Sequence, residues 1–242
     1  MTNPLMNVMQ EQTRVLDGEP MTINGTINKT FLLLIFTFIS ACYTYSLALS
    51  GFTDKVSILM RVGVIASIIL AIIIIFFRNA LFILTPMYAV AEGLVLGGIS
   101  AIYAQQFAGI VTQAVLATFA TLGVMLALFR LGIIRCDDKF RSIIHTATFS
   151  IFIIYLIQFV ASFFSRSIPQ IFTASPIGII FSVVVVLIAS LNLILDFDFI
   201  KRGTENLLPQ KYEWYGAFGL IVTLIWLYLE ILKLLAKTQS RN

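Results

Sequence analysis

The sequence predicts an all-α fold, a polytopic membrane bundle of seven transmembrane helices, and three observations carry that reading. Of 242 residues, 59% are hydrophobic and only 12% charged, where a soluble domain holds about 25% charged residues. Mean hydropathy is +0.97. Apolar residues also run almost unbroken for about 20 positions at a time, which suits a helix crossing hydrocarbon and is too long for a barrel strand of alternating polarity.

In chain order, a polar segment (residues 1–29) of mixed charge precedes the first span. It has no apolar core of a cleavable signal, so the first helix is expected to direct insertion. That helix is expected over residues 30–49, after Asn28 and Lys29, and SGFTDK turns the chain. The second covers 56–77, with Arg61 snorkelling one turn inside and Arg78 closing it. The third covers 81–104, the fourth 110–130, and the densely charged loop LGIIRCDDKFR follows. The fifth is expected over 143–164, the sixth over 177–200 and the seventh over 214–235. The membrane domain therefore takes residues 30–236, with a tail at 237–242.

Lys and Arg concentrate on the side of the N-terminus, with Arg78, Arg130, Arg135, Arg141, Lys201 and Arg202 among them. By the positive-inside rule the N-terminus lies in the cytoplasm and the C-terminus outside. The net charge of +4 is spread over helix ends, which does not point to nucleic acid. The two cysteines, Cys42 in a span and Cys136 in a loop, suggest no structural disulfide. No Cys/His cluster offers a structural metal site, and no GxSxG, HExxH or glycine-rich phosphate loop supports an enzyme. No cofactor is expected.

What remains is a set of polar residues inside the spans, which are functional by default in a membrane. Residues 193–202, LILDFDFIKR, carry Asp196 and Asp198 at the end of the sixth span, and Glu230 interrupts the seventh. Two residues apart on a helix, the aspartates point about 200° apart. Asp196 shares a face with Asn192, which can hydrogen-bond across helices, while Asp198 lies one turn from Arg202 and can pair with it. Glu230 has Lys233 three residues on, leaving two readings: local neutralisation by Lys233, or a meeting with Asp196 in the bundle interior. Two carboxylates in contact cannot both ionise cheaply, so such a pair would share a proton, and once deprotonated could take a cation such as calcium. Arg78 lies at a similar depth to Asp196 and could latch it. Glu92, within AEGLVLGGIS beside a small-xxx-small pair, is a further intramembrane acid. His145, the only histidine, is read as interfacial.

Depth constrains the pairing. Glu230 falls roughly 24 Å into the last helix at about 1.5 Å per residue, whereas Asp196 sits about a turn from the same surface. They meet only if the sixth helix continues past Ile200 or the last begins well before the hydrocarbon.

Taken with TPMYAVAEGLVLGGIS and EWYGAFGLIVTLIWLYLEILKLL, LILDFDFIKR resembles the Bax inhibitor-1/YccA-like family, also called the transmembrane Bax-inhibitor-motif or lifeguard proteins, in a bacterial branch. The likeness runs from Thr30 onward. It implies seven spans with the last helix central, and a pair of carboxylates in the sixth and seventh helices that senses pH and controls a calcium leak. Asp196 and Glu230 match those two acids, and Arg78 matches an arginine that latches the closed state. Glu stands where relatives have Asp, the connector between the acids is about ten residues longer, and Ser67 sits near the place of an acid that relatives carry in the second helix. The resemblance thus implies a pH-sensitive calcium leak channel of the cell inner membrane, with calcium as the permeant ion. The alternative is a non-transporting adaptor that modulates a membrane-anchored protease, and a third is a secondary transporter coupled through Glu92.

Overall fold

A computed structural model describes residues 19–78, 80–163 and 169–241. Its helices are α1 (Ile23–Leu49), α2 (Thr53–Phe76), α3 (Leu81–Gln106), α4 (Ile110–Arg130), α5 (Asp138–Phe163), the single turn α6 (Pro169–Phe172), α7 (Pro176–Glu205) and α8 (Lys211–Gln239). Among the described residues, seven helices are long and apolar enough to cross a membrane, every one but α6. Most of the expected polar N-terminal segment, residues 1–18, lies outside the described residues, as does the middle of the α5–α7 connector at 164–168.

The outer surface explains the composition. Phe38, Phe76, Leu116, Phe149 and Ile180 are all more than 60% exposed, forming an apolar skin that only lipid covers without penalty. Inside, the helices meet through small and hydroxylated residues. Thr26, Thr30, Thr37, Ser40 and Thr44 line one buried face of α1. The hydroxyls of Thr30, Thr37, Ser40 and Thr44 each donate to the carbonyl four residues back, so the face is slim and internally satisfied. Gly93 and Gly97 of α3 press against it; a Cβ on Gly93 would overlap Ser40 Oγ and one on Gly97 the Ala41 carbonyl. The predicted small-xxx-small pair is thus a close α1–α3 seam.

Several boundaries differ from expectation, the fifth span starting at Asp138 among them, and those of three helices bear on the site. The first helix starts seven residues early, at Ile23, because Thr22 caps it by accepting from Gly25 N at 2.9 Å. Asn28 and Lys29 are therefore helical. The sixth span runs on through Lys201 and Arg202 to Glu205, since nothing in KRGTE breaks a helix before Asn206. The last helix begins at Lys211 and continues to Gln239, which takes in half of the expected tail. It packs against α1, α3, α4 and α7, whereas α5 leans on α7 and shows most of its surface outward.

Candidate functional site

The antiparallel register of α7 and α8 fixes where each acid lies. Ile200 sits beside Gly216, Asp196 beside Gly219, and Ser182 receives Lys237. Asp196 therefore faces the stretch from Gly219 to Thr223. Thr223 lies near its carboxyl group, and among the described residues one carboxyl oxygen, Oδ2, is shut away from solvent with no hydrogen-bond partner. A cleft of about 550 Å³ opens onto this carboxyl, lined also by His145, Asp198, Arg202, Tyr215 and Phe218. An oxygen buried without a partner is costly for a charged group, and a proton or a cation relieves that cost.

The mouth of the cleft is an ion-pair cluster. Asp198 Oδ2 accepts from Arg202 Nε at 2.8 Å and from Arg141 Nη2 at 2.9 Å. The Arg202 partner is the one expected from helix spacing. Arg141 comes from α5, and the loop carrying Cys136 is drawn in with it, for Arg202 Nη2 also donates to the Cys136 carbonyl at 3.2 Å. Burial and the neighbouring Asp198 push the Cys136 thiol up from its ordinary range. Asn192 reaches across helices as expected, donating to Thr148 Oγ1 of α5 at 2.8 Å.

The Asp196–Glu230 pair does not form. Glu230 is 1% exposed, and both of its oxygens are taken: Lys233 Nζ donates at 2.9 Å and Tyr155 Oη at 2.9 Å. It lies seven residues beyond Thr223, or roughly 10 Å further along the helix at about 1.5 Å per residue. Of the two readings open from sequence, local neutralisation by Lys233 prevails, and no calcium can bridge the two acids in this arrangement. The condition set on depth is met, since α7 does continue past Ile200 and α8 starts early. The same antiparallel register nevertheless carries Glu230 past Asp196.

Arg78 does not latch Asp196 either. Its guanidinium lies 5.3 Å from the Tyr215 ring centre and 5.8 Å from that of Tyr212, and Nη1 donates to Tyr212 Oη at 3.4 Å. Tyr215, packed against Phe199 and Phe218, stands between it and the cleft. Glu92 is half-buried, with Ser67 of the neighbouring helix and Tyr88 near its carboxyl group, while the Ser67 hydroxyl itself donates to the Val64 carbonyl at 3.1 Å.

A second polar assembly has only faint signals in the sequence. Glu213, in the first turn of α8, is 1% exposed. It accepts from Thr22 N and Thr22 Oγ1, both at 2.8 Å, and pairs with Lys29 Nζ. A Cβ on Gly25 would overlap its carboxylate, so a larger residue there would push Glu213 out of this position. Beside it, Met21 N donates to Leu208 O at 2.7 Å and Gln210 N to Glu19 O at 2.9 Å. Met21, 1% exposed, packs on Gly203 and Gly216, two residues that line the Asp196 cleft. The start of α1 is thereby clasped to the α7–α8 turn and forms the wall behind the cleft.

The family described as Bax inhibitor 1 like matches residues 3–240. The chain belongs to that family. No curated protein and no solved structure gives a match. The seven apolar helices and the apolar skin described above imply a lipid bilayer around the chain.

Proposed function

We propose that this family member is a pH-sensitive cation leak of the cell inner membrane, with calcium the permeant ion and Asp196 the group that titrates. The reading rests on one observation: Asp196 holds an oxygen buried without a partner at the base of a cleft, whereas Asp198 and Glu230 are both ion-paired. A single carboxylate replaces the shared pair anticipated from sequence. Protonated, it sits quietly against Gly219 and Thr223; ionised, it favours either an entering cation or separation of α7 from α8. The Asp198–Arg141–Arg202 cluster at the mouth, rather than Arg78, supplies the electrostatic closure. The crowding of Arg and Lys at this end supports a cytoplasmic N-terminus.

Calcium flux from reconstituted liposomes, followed from pH 5 to 8, tests this. Asp196→Asn is expected to flatten the pH response and Glu230→Gln to leave it in place. A pH response that survives Asp196→Asn removes the assignment. Wild-type protein without flux at any pH removes the leak altogether and leaves the adaptor role.

A further inference from the structure

At the far end of α8 from the Asp196 cleft, Lys237 is held in an unusual way. Its ammonium donates to the Ile171 carbonyl at 3.1 Å, the Gly178 carbonyl at 3.0 Å and Ser182 Oγ at 2.8 Å. Three N–H donors meet three oxygens, which is the full capacity of a lysine. None of the three oxygens belongs to a charged group. Among the described residues no carboxylate lies within salt-bridge distance of this ammonium, and the nearby Glu230 is already taken by Lys233.

Two further features describe the place. The oxygens come from separate elements: Ile171 from the last turn of α6, whose carbonyl has no helical partner ahead of it, and Gly178 and Ser182 from the start of α7. They converge because the α6–α7 turn folds back over the end of α8, not because one loop encloses a side chain. Lys237 and Ser182 also line a second cleft of about 430 Å³, with Tyr103, Gln106, Tyr155 and Lys233 on its walls. A small ion in that cleft would meet Ser182 on its wall, and the space left by the lysine would lead on to the two carbonyls.

We infer that these three oxygens form a monovalent-cation site that the Lys237 ammonium occupies from within the chain. Backbone carbonyls and a hydroxyl replace the hydration shell of a weakly hydrated monovalent ion, as the carbonyl rings of potassium-selective filters do. A divalent ion calls for carboxylates, and this cage has none. An ammonium is a compact point charge, so it can stand in for such an ion while tethered. The lysine pins the end of α8 to the α6–α7 turn and keeps the second cleft from holding a free cation.

The test is thermal unfolding of full-length protein in detergent, in potassium chloride against N-methylglucamine chloride at equal ionic strength. Wild type is expected to melt alike in both. Lys237→Ala is expected to melt lower in N-methylglucamine and to regain several degrees in potassium, and adding Ser182→Ala is expected to abolish the regain. Lys237→Gln, which keeps much of the stem and donates N–H bonds of its own, is expected to show no regain. Should Lys237→Ala fold only in potassium, that recovery is the same positive result. Equal melting of Lys237→Ala in the two salts, or recovery in neither, overturns the site and makes the lysine a plain tether. No flux is read, so the outcome is independent of the leak assigned to Asp196.

Discussion

Asp196 of α7 sits directly against Gly219 of α8, so that a Cβ built on the glycine would lie 3.1 Å from Asp196 Oδ1. On the side of α8 that spacing leaves the carboxyl group little room, while its other side opens to the cleft. Gly219→Ala forces it to give by a few tenths of an ångström. The variant is expected to fold, to change stability by no more than about 1 kcal/mol because the preference of helices for Ala over Gly offsets the tighter contact, and to shift the pH response of calcium flux. Melting and liposome flux measured together check it; a flux profile identical to wild type would detach Gly219 from the gate.

Asp196→Asn should make the closed arrangement more stable at any pH where Asp196 would otherwise be ionised. The substitution keeps the shape and still leaves a polar atom in the unpartnered position. It removes the charge of the ionised form, however, and a buried charged group without a partner costs more than the roughly 1–3 kcal/mol of a neutral one. Differential scanning fluorimetry in detergent at neutral pH is expected to show a higher midpoint. An unchanged or lower midpoint would show that the charge is already compensated.

The Glu213–Lys29 pair lends itself to a double-mutant cycle. Lys29→Met strands the buried Glu213 carboxylate and should cost about 3–5 kcal/mol, while Glu213→Gln should cost less, because the Lys29 side chain is partly exposed. The double variant should cost clearly less than the two together. Lys29 also lies 5.4 Å from the Trp214 ring centre, so the tryptophan emission should shift in Lys29→Met. Strict additivity would mean that the clasp is held by its backbone bonds alone.

Cys136 gives a pH prediction with a definite sign. Its thiol is shifted upward by burial and then by Asp198. Less thiolate is then present at any given pH, and thiolate is the nucleophile. Maleimide labelling of Cys136 at pH 8, measured by mass spectrometry, is expected to be slower than for the unfolded chain. Asp198→Asn should speed it. Equal rates in folded and unfolded protein would argue against the enclosed ion-pair cluster.

The α1–α3 seam depends on two glycines. Gly97→Val would drive side-chain atoms into the Ala41 carbonyl, which cannot yield as a side chain would. Severe loss of folded protein is expected, visible as aggregation on size exclusion, with Gly123→Val as a mild control because a Cβ there meets open space. Comparable behaviour of the two variants would refute the close seam.

The helices were readable because their signal is composition over some 20 residues, which tertiary context barely alters. The Asp198–Arg202 contact was readable for a similar reason, since it is local and one helical turn long. The partners of Asp196 and Glu230 were not. Which residue of α8 faces Asp196 depends on the antiparallel register with α7, set by how closely Gly216 and Gly219 let the helices approach, and no spacing within either helix encodes that. The pull of Tyr212 and Tyr215 on Arg78 was likewise hidden, since ring contacts compete with a carboxylate only once the rings are in place. Glu213 looked like a connector charge because the residues that bury it, Thr22, Gly25 and Lys29, lie some 190 positions away.

That separation bears on how the protein is made. Thr22 and Lys29 belong to the first helix to enter the bilayer, yet the carboxylate that satisfies them is on the last. Until α8 has left the ribosome, α1 carries a lysine and a capped helix start with no counter-charge, and the wall that Met21 forms against Gly203 and Gly216 is incomplete. Biogenesis therefore ends with a ring closure, in which the newest segment of the chain captures the oldest. A chain cut short after α7 would hold six spans in the membrane with its first helix unanchored, a species that membrane quality control could recognise by its exposed Lys29.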